Sequence, residues 1–239
     1  MKFAAIVPVP MLDLTYHFDY HMVLAPQLAR REYSTFYSNA NGHVILDNGI
    51  AEGAIPTNEE LLLRAIRICA NEVIAPDVMY DAAQTIQQLG PFCEQARVAD
   101  VRVMAVLQAT NWVEFEDVLD VALSWDVAAV AMPKLLTDTL SPNARIIGAE
   151  LIRSKSDIPI HCLGSSADIK VETKALAAQD IVRGIDTAAP AVMGLLGQSM
   201  LTSSYDWRKS HGAVIDYWNQ PSNGQVEANI ELFHDWCRV

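Results

Sequence analysis

Val127-Ala128-Ala129-Val130-Ala131-Met132 is the stretch that decides the fold. It is short and apolar on both of the faces between which a strand alternates its side chains. A strand with one wet face alternates apolar and polar residues. One that is apolar on both faces belongs to a parallel sheet covered by helices on each side. Comparable runs recur at residues 3–9, 44–47, 72–77, 102–108, 158–163 and 181–186. Segments of helical period separate them. Thr57-Asn58-Glu59-Glu60 opens one, with Leu61, Leu62, Ala65, Ile66 and Cys69 at helical spacing. Asp81 opens a second, carrying Ala82, Thr85, Ile86 and Leu89. Phe115, Val118, Leu119, Ala122 and Leu123 mark a third, and residues 146–155 and 171–179 a fourth and a fifth.

Repetition of strand, helix and strand implies right-handed crossovers and a parallel sheet, either open and doubly wound or closed into a barrel. No Gly-x-Gly-x-x-Gly follows the first strand, and no Gly-x-x-x-x-Gly-Lys-Ser/Thr occurs. The nucleotide-binding open sheets thus lack their usual fingerprint. The expectation is therefore α/β, a (β/α)8 TIM-type barrel over about residues 1–190, with the eighth strand placed in the short polar segment 11–17. A C-terminal appendage over about residues 191–239, with an amphipathic helix at 226–236, completes a single domain. No Pro-, Ser- or Gly-rich linker or charge block divides the chain.

At 239 residues, 51% hydrophobic and 19% charged, the composition is that of a folded globular protein. Lys+Arg 17 against Asp+Glu 29 leaves a net charge of −12, which excludes broad non-specific binding to nucleic acid but not a local basic patch. No apolar run approaches the ~20 residues of a membrane span, and the N-terminal one is too short for a signal peptide. Four scattered cysteines without a Cys-x-x-Cys suggest neither a zinc site nor a disulfide framework, and a reducing cytoplasm is the expected location.

Reactive groups of a parallel barrel gather at the C-terminal ends of the strands. Those ends read Asp47-Asn48-Gly49, Asp77, Gln108, Pro133-Lys134, Gly164-Ser165-Ser166 and Asp186-Thr187. A lone strand-end Asp is commonly a cap for the next helix. Three of them around one mouth, with Gln108, make a polar floor in an apolar barrel. Like charges at close range separate their pKa values, which suits one acid and one nucleophile.

At these residues the sequence resembles the tRNA-guanine transglycosylases and their 7-deazaguanine DNA-modifying relatives. Leu12-Asp13-Leu14-Thr15-Tyr16-His17 is similar to the family's Asn-Thr-Tyr-His-Leu segment at its second strand, and Asp47-Asn48-Gly49 to its Asp-Ser-Gly-Gly motif. Ala75-Pro76-Asp77 and Gln108 stand where the family carries its substrate-recognising Asp and its Gln. His161-Cys162-Leu163-Gly164 resembles the Leu-Met-Gly turn, and Gly184-Ile185-Asp186 the Gly-Val-Asp-x-Phe-Asp region. The resemblance implies base exchange through a covalent glycosyl–enzyme intermediate, with Asp186 as nucleophile and Asp47 as acid/base. It also implies that Asp77, Gln108, Asn48 and Gly49 contact the base, with backbone around Met132-Pro133 and Leu163-Gly164 completing the pocket. No cofactor and no metal is called for. The family's tRNA enzymes carry a Cys-x-Cys-x-x-Cys and His zinc cluster that is missing here, which favours the DNA-modifying branch: DNA as polymer and a preQ0-like 7-deazaguanine as the incoming base. An accessory or identical subunit remains open.

Three alternatives stand beside this reading: exchange on tRNA, a lyase or hydrolase acting on a small phosphorylated substrate through Lys134, Ser165 and Ser166, and a non-catalytic 7-deazaguanine-binding subunit. The last stays open because Thr187 follows Asp186 where the family motif continues to a second Asp. Lys134, Arg208 and Lys209 are the candidates for polymer backbone, with Tyr205 and Trp207 beside the last two as stacking surfaces. His17 and His21, four apart, tempt a shared helix face, but no metal motif accompanies them.

Overall fold

The computed structural model describes residues 1–53, 56–166, 168–203 and 214–238. Eight parallel strands form a nearly closed barrel: β1 (Lys2–Ala5), β2 (Tyr20–Leu24), β3 (His43–Asp47), β4 (Glu72–Ile74), β5 (Val103–Val106), β6 (Ala129–Pro133), β7 (Ile160–Leu163) and β8 (Val182–Thr187). Ladders run in the order β1-β8-β7-β6-β5-β4-β3-β2. β1 lies beside β2, and no ladder pairs the two. Around the strands stand α1 (Arg31–Ser38), α2 (Asn58–Arg67), α3 (Ala82–Val98), α4 (Trp112–Ser124), α5 (Leu136–Thr139), α6 (Ala144–Lys155), α7 (Ile169–Ala177), α8 (Ala189–Leu195) and α9 (Gly224–Trp236).

Local chemistry explains where the helices begin. Thr57 and Glu60 close a reciprocal capping box on α2, and Asp81 and Asn111 accept from backbone N–H groups in the first turns of α3 and α4. Each such cap is worth about 1 kcal/mol. Two apolar layers then form. The larger lies between strands and helices and takes Phe3, Val23, Leu46, Val73, Val130, Phe115 and their neighbours. The smaller fills the barrel with Ala4, Tyr20, Met22, Leu24, Ile45, Ile74, Met104, Val106, Ala129 and Ala131. Every buried Leu, Val or Phe in these layers contributes about 1.5–3 kcal/mol.

The eighth strand is not where the sequence predicts it. Residues 11–17 fall largely in a 3-10 helix, Val9–Thr15, and the strand is Tyr20–Leu24. Pro8 and Pro10 start that helix: proline has no N–H for a ladder and fixes a helix-compatible φ. All of Tyr20–Leu24 is buried, with its polar tips satisfied by Tyr20 Oη to His161 and His21 Nε2 to the Asn41 carbonyl. The segment that resembles the family's second strand is therefore outside the sheet. His17 and His21 share no helix either, since His21 is on β2.

α9 lies on α8 and reaches β1, where Phe233 meets Phe3 at 4.5 Å, and the Met1 ammonium donates to the Cys237 carbonyl at 3.2 Å. No helix among the described residues is long and apolar enough to cross a membrane. The basic cluster Arg208-Lys209, with Tyr205 and Trp207, lies outside the described residues.

Candidate active site at the C-terminal mouth of the barrel

Pairing register sets the mouth. Leu24 pairs with Asp47, Leu163 with both Pro133 and Asp186, and Ala5 with Thr187, so these residues stand level at the C-terminal ends of their strands. On β3, Val44 and Leu46 belong to the outer layer while Ile45 faces the barrel interior, so alternation turns Asp47 inward.

Asp77 and Gln108 sit just beyond β4 and β5, both buried. Asp77 Oδ2 accepts from Gln108 Nε2 and Oδ1 from Asn48 Nδ2, each at 2.7 Å. The Asn48 amide also donates to the Ala75 carbonyl at 2.8 Å, and its oxygen accepts from the Ile50 N–H at 3.0 Å. Asp77 is thus a fixed acceptor, held by one side-chain amide on each oxygen. Burial pushes its carboxyl above the ordinary range, and the Gln108 and Asn48 bonds pull it partly back.

Half-buried Asp47 accepts from the Gly49 N–H at 2.9 Å. Burial raises its carboxyl well above the usual value; Glu52, Asp186 and Asp77 add to this, with Gly49 opposing. Glu52 is exposed on the rim, and partial enclosure together with Asp186 raises it as well.

Asp186 is buried at the end of β8. Its Oδ1 is hydrogen-bonded with His161 Nε2 at 2.9 Å and accepts, at the longer distance of 3.4 Å, from the Gly164 N–H. Its Oδ2 takes no hydrogen bond from the described residues. Gly164 holds a φ of +67°, in the left-handed region that glycine adopts without strain, and that turn aims its N–H at Asp186. Below the turn lies Arg145, fully buried. It is paired bidentately with Glu172 at 2.8 and 2.5 Å and donates to the Gly164 carbonyl at 2.8 Å. Glu172 in turn accepts from the Ser166 N–H at 3.1 Å. A buried ion pair therefore builds the loop that holds Asp186.

Lys134 lies over this turn: a Cβ on Gly164 would stand 3.1 Å from its Cδ. Burial lowers the Lys134 amine, while the nearby Asp186 supports its charge. Leu163 is half-buried against the inner barrel cluster, and Pro133 is buried beside it. Met132 turns outward, with its sulfur near Gly148 on α6, so only its backbone faces the interior side. Ser165 and Ser166 are tied into the fold. Ser165 Oγ bonds Thr187 Oγ1 at 2.8 Å, and the Ser166 N–H is taken by Glu172. This argues against a phosphate cradle there.

Sequence reasoning missed the polar groups inside the barrel. His161, Tyr20, Arg183 and Glu72 form a hydrogen-bonded chain below Asp186. Charged residues at the starts of two buried strands, Glu72 and Arg183, were the available signal. Trp218 also went unread. It packs against the inner barrel cluster together with Ile6 and Leu163, anchored by its neighbour Tyr217, whose hydroxyl donates to the Ile6 carbonyl at 2.7 Å. A cleft of about 200 Å³ lined by Tyr16, His21, Thr35, Phe36, Asn39 and Ala40 opens on the outer wall, away from this chemistry. Among the described residues no group of three or more His, Cys, Asp or Glu side chains is arranged to hold a metal ion.

Comparison with protein-family models finds no match, and no curated protein is significantly similar to the chain. The class that fold and site define is thus a (β/α)8 barrel with a polar, carboxylate-rich mouth.

Proposed function

We propose that this barrel is a base-exchange glycosyltransferase that replaces guanine in DNA with a 7-deazaguanine base through an aspartyl-glycosyl intermediate. The observation that carries the reading is the division of labour among the carboxylates. Asp186 has one oxygen held and the other without a hydrogen bond from the described residues, Asp47 is pushed toward its protonated form, and Asp77 is locked as an acceptor with Gln108 beside it.

In this mechanism Asp186 Oδ2 attacks C1′ of the target nucleoside as the C1′–N9 bond breaks. The electron pair leaves with guanine, and the Asp47 proton neutralises it. The incoming 7-deazaguanine then returns its N9 proton to Asp47 and attacks C1′. The Asp186–C1′ ester bond breaks and the carboxylate is regenerated. An oxocarbenium-like centre needs this pair of roles, nucleophile and acid/base, as in retaining glycosidases. Asp77 accepts from the N1–H and exocyclic amine of the base, which present two donors in one plane. Lys134, beside Asp186, suits a phosphate of the polymer backbone.

The test is incubation with guanine-containing duplex DNA and, separately, tRNA, followed by denaturing electrophoresis and by exchange of radiolabelled guanine. Adduct and exchange on DNA are expected. Asp186→Asn should abolish both, and Asp77→Ala should lose base binding while the fold survives. Absence of adduct and exchange on every polymer refutes the proposal, and exchange on tRNA alone corrects the substrate.

A further inference from the structure

The interior of a parallel barrel is normally filled by branched apolar side chains. Here a polar chain crosses it. Glu72, wholly buried at the start of β4, takes two bonds from Arg183 at 2.8 and 2.6 Å and lies 3.4 Å from His43. Arg183 Nε donates to Tyr20 Oη at 3.3 Å. Tyr20 Oη is 2.8 Å from His161 Nδ1, and His161 Nε2 is 2.9 Å from Asp186 Oδ1. The β7–β8 register shifts at this point: Ile160 pairs with Val182 but His161 with Gly184, which leaves Arg183 as an extra residue turned toward the axis. Gly184 makes room for the crossing, since a Cβ there would lie 2.4 Å from the Tyr20 ring.

The donors assign themselves. Arginine only donates, so Tyr20 Oη accepts from Arg183. Burial pushes the Tyr20 hydroxyl well up, so it keeps its hydrogen, and the acceptor it meets among the described residues is His161 Nδ1 at 2.8 Å. His161 Nε2 then carries the ring hydrogen and donates it to Asp186. We infer that His161, locked in one tautomer by Tyr20 and Arg183, is the positioning residue that fixes Asp186 Oδ1 and presents Oδ2 for attack. The inference rests on the base-exchange reading and deepens it. His161 serves both halves of that reaction. While the glycosyl ester exists, Oδ1 is its carbonyl oxygen and still accepts from Nε2–H. As the ester bond to C1′ breaks, the negative charge returning to the carboxylate meets a donor already in place.

Two measurements test it on the full chain. Imidazole ¹⁵N chemical shifts should show His161 protonated at Nε2 and bare at Nδ1, and Tyr20→Phe, which removes one hydroxyl, should mix the tautomers. In single-turnover adduct formation on guanine-containing DNA, His161→Leu should slow the rate about 10²-fold. Tyr20→Phe should slow it about tenfold, the worth of one neutral hydrogen bond. His161→Gln, whose amide reaches Asp186, should restore most of the rate. The affinity of free guanine, set by Asp77 and Gln108, should change less than about twofold in all three, which a general loss of structure would not produce. Protonation at Nδ1 in the unaltered protein, or an unchanged rate in His161→Leu, overturns the inference. If the unaltered protein forms no adduct, base exchange is refuted, and the imidazole shifts still decide whether Tyr20 fixes the tautomer.

Discussion

Arg145→Met tests the ion pair beneath the mouth. Arg145 is fully buried, and its loss leaves Glu172 enclosed without its partner and the Gly164 carbonyl without a donor. Removing one member of a buried pair costs about 3–5 kcal/mol, because the remaining charge is uncompensated. In a domain of this size 1 kcal/mol moves Tm by about 2–4 °C, so a fall of roughly 6–20 °C at pH 7 is expected. Glu172 also fixes the pH dependence. Burial alone would push its carboxyl up, yet Arg145 and Ser166 hold it below the ordinary range. A carboxyl lowered in the fold adds stability above its unfolded value, about 4.3, and that stability is lost as pH falls through the folded value. The gap between the native chain and Arg145→Met is therefore full at pH 7 and narrows on acidification below about pH 4. Glu172→Gln added to Arg145→Met should recover most of the loss at neutral pH, since the amide oxygen still accepts from Ser166 and no charge is stranded. Thermal and urea unfolding followed by circular dichroism provide the assay. A loss under about 1 kcal/mol at pH 7, or one equally large at pH 3, would refute the reasoning.

Two further substitutions probe the barrel and its mouth. Gly184→Ala drives a methyl group into the Tyr20 ring and should cost about 1–3 kcal/mol in urea unfolding; an unchanged midpoint would mean that Tyr20 does not cross against β8. Asp47→Asn bears on the cost of the acid: burial raises that carboxyl in the fold, so its favourable contribution is full below the unfolded value near about 3.9 and is lost as pH rises through the folded value. The variant keeps an acceptor for Gly49, so it should melt higher than the native chain at pH 7 and at the same temperature near pH 3, and a lower melting point at pH 7 would count against a strained Asp47.

Much of the architecture was written along the chain, because strand and helix periods are local properties. Runs apolar on both faces, such as residues 127–132, could only be strands covered twice, and capping residues such as Thr57 and Asp81 fixed helix starts within a residue or two. Strand-end carboxylates were legible for the same reason: a charge closing an apolar run is visible without coordinates. β2 was not legible. Tyr20 and His21 read as polar until partners far along the chain, among them His161, satisfy them. The relay under Asp186 depends on a one-residue register shift between β7 and β8, and no local pattern encodes which residue of one strand faces which of the next. The sequence by itself thus determined the class of fold and the carboxylates that close its strands. Tertiary structure alone decided that Asp77 is clamped by two amides and that Asp186 keeps one oxygen bound, since hydrogen bonds between distant strands exist only once the barrel has closed.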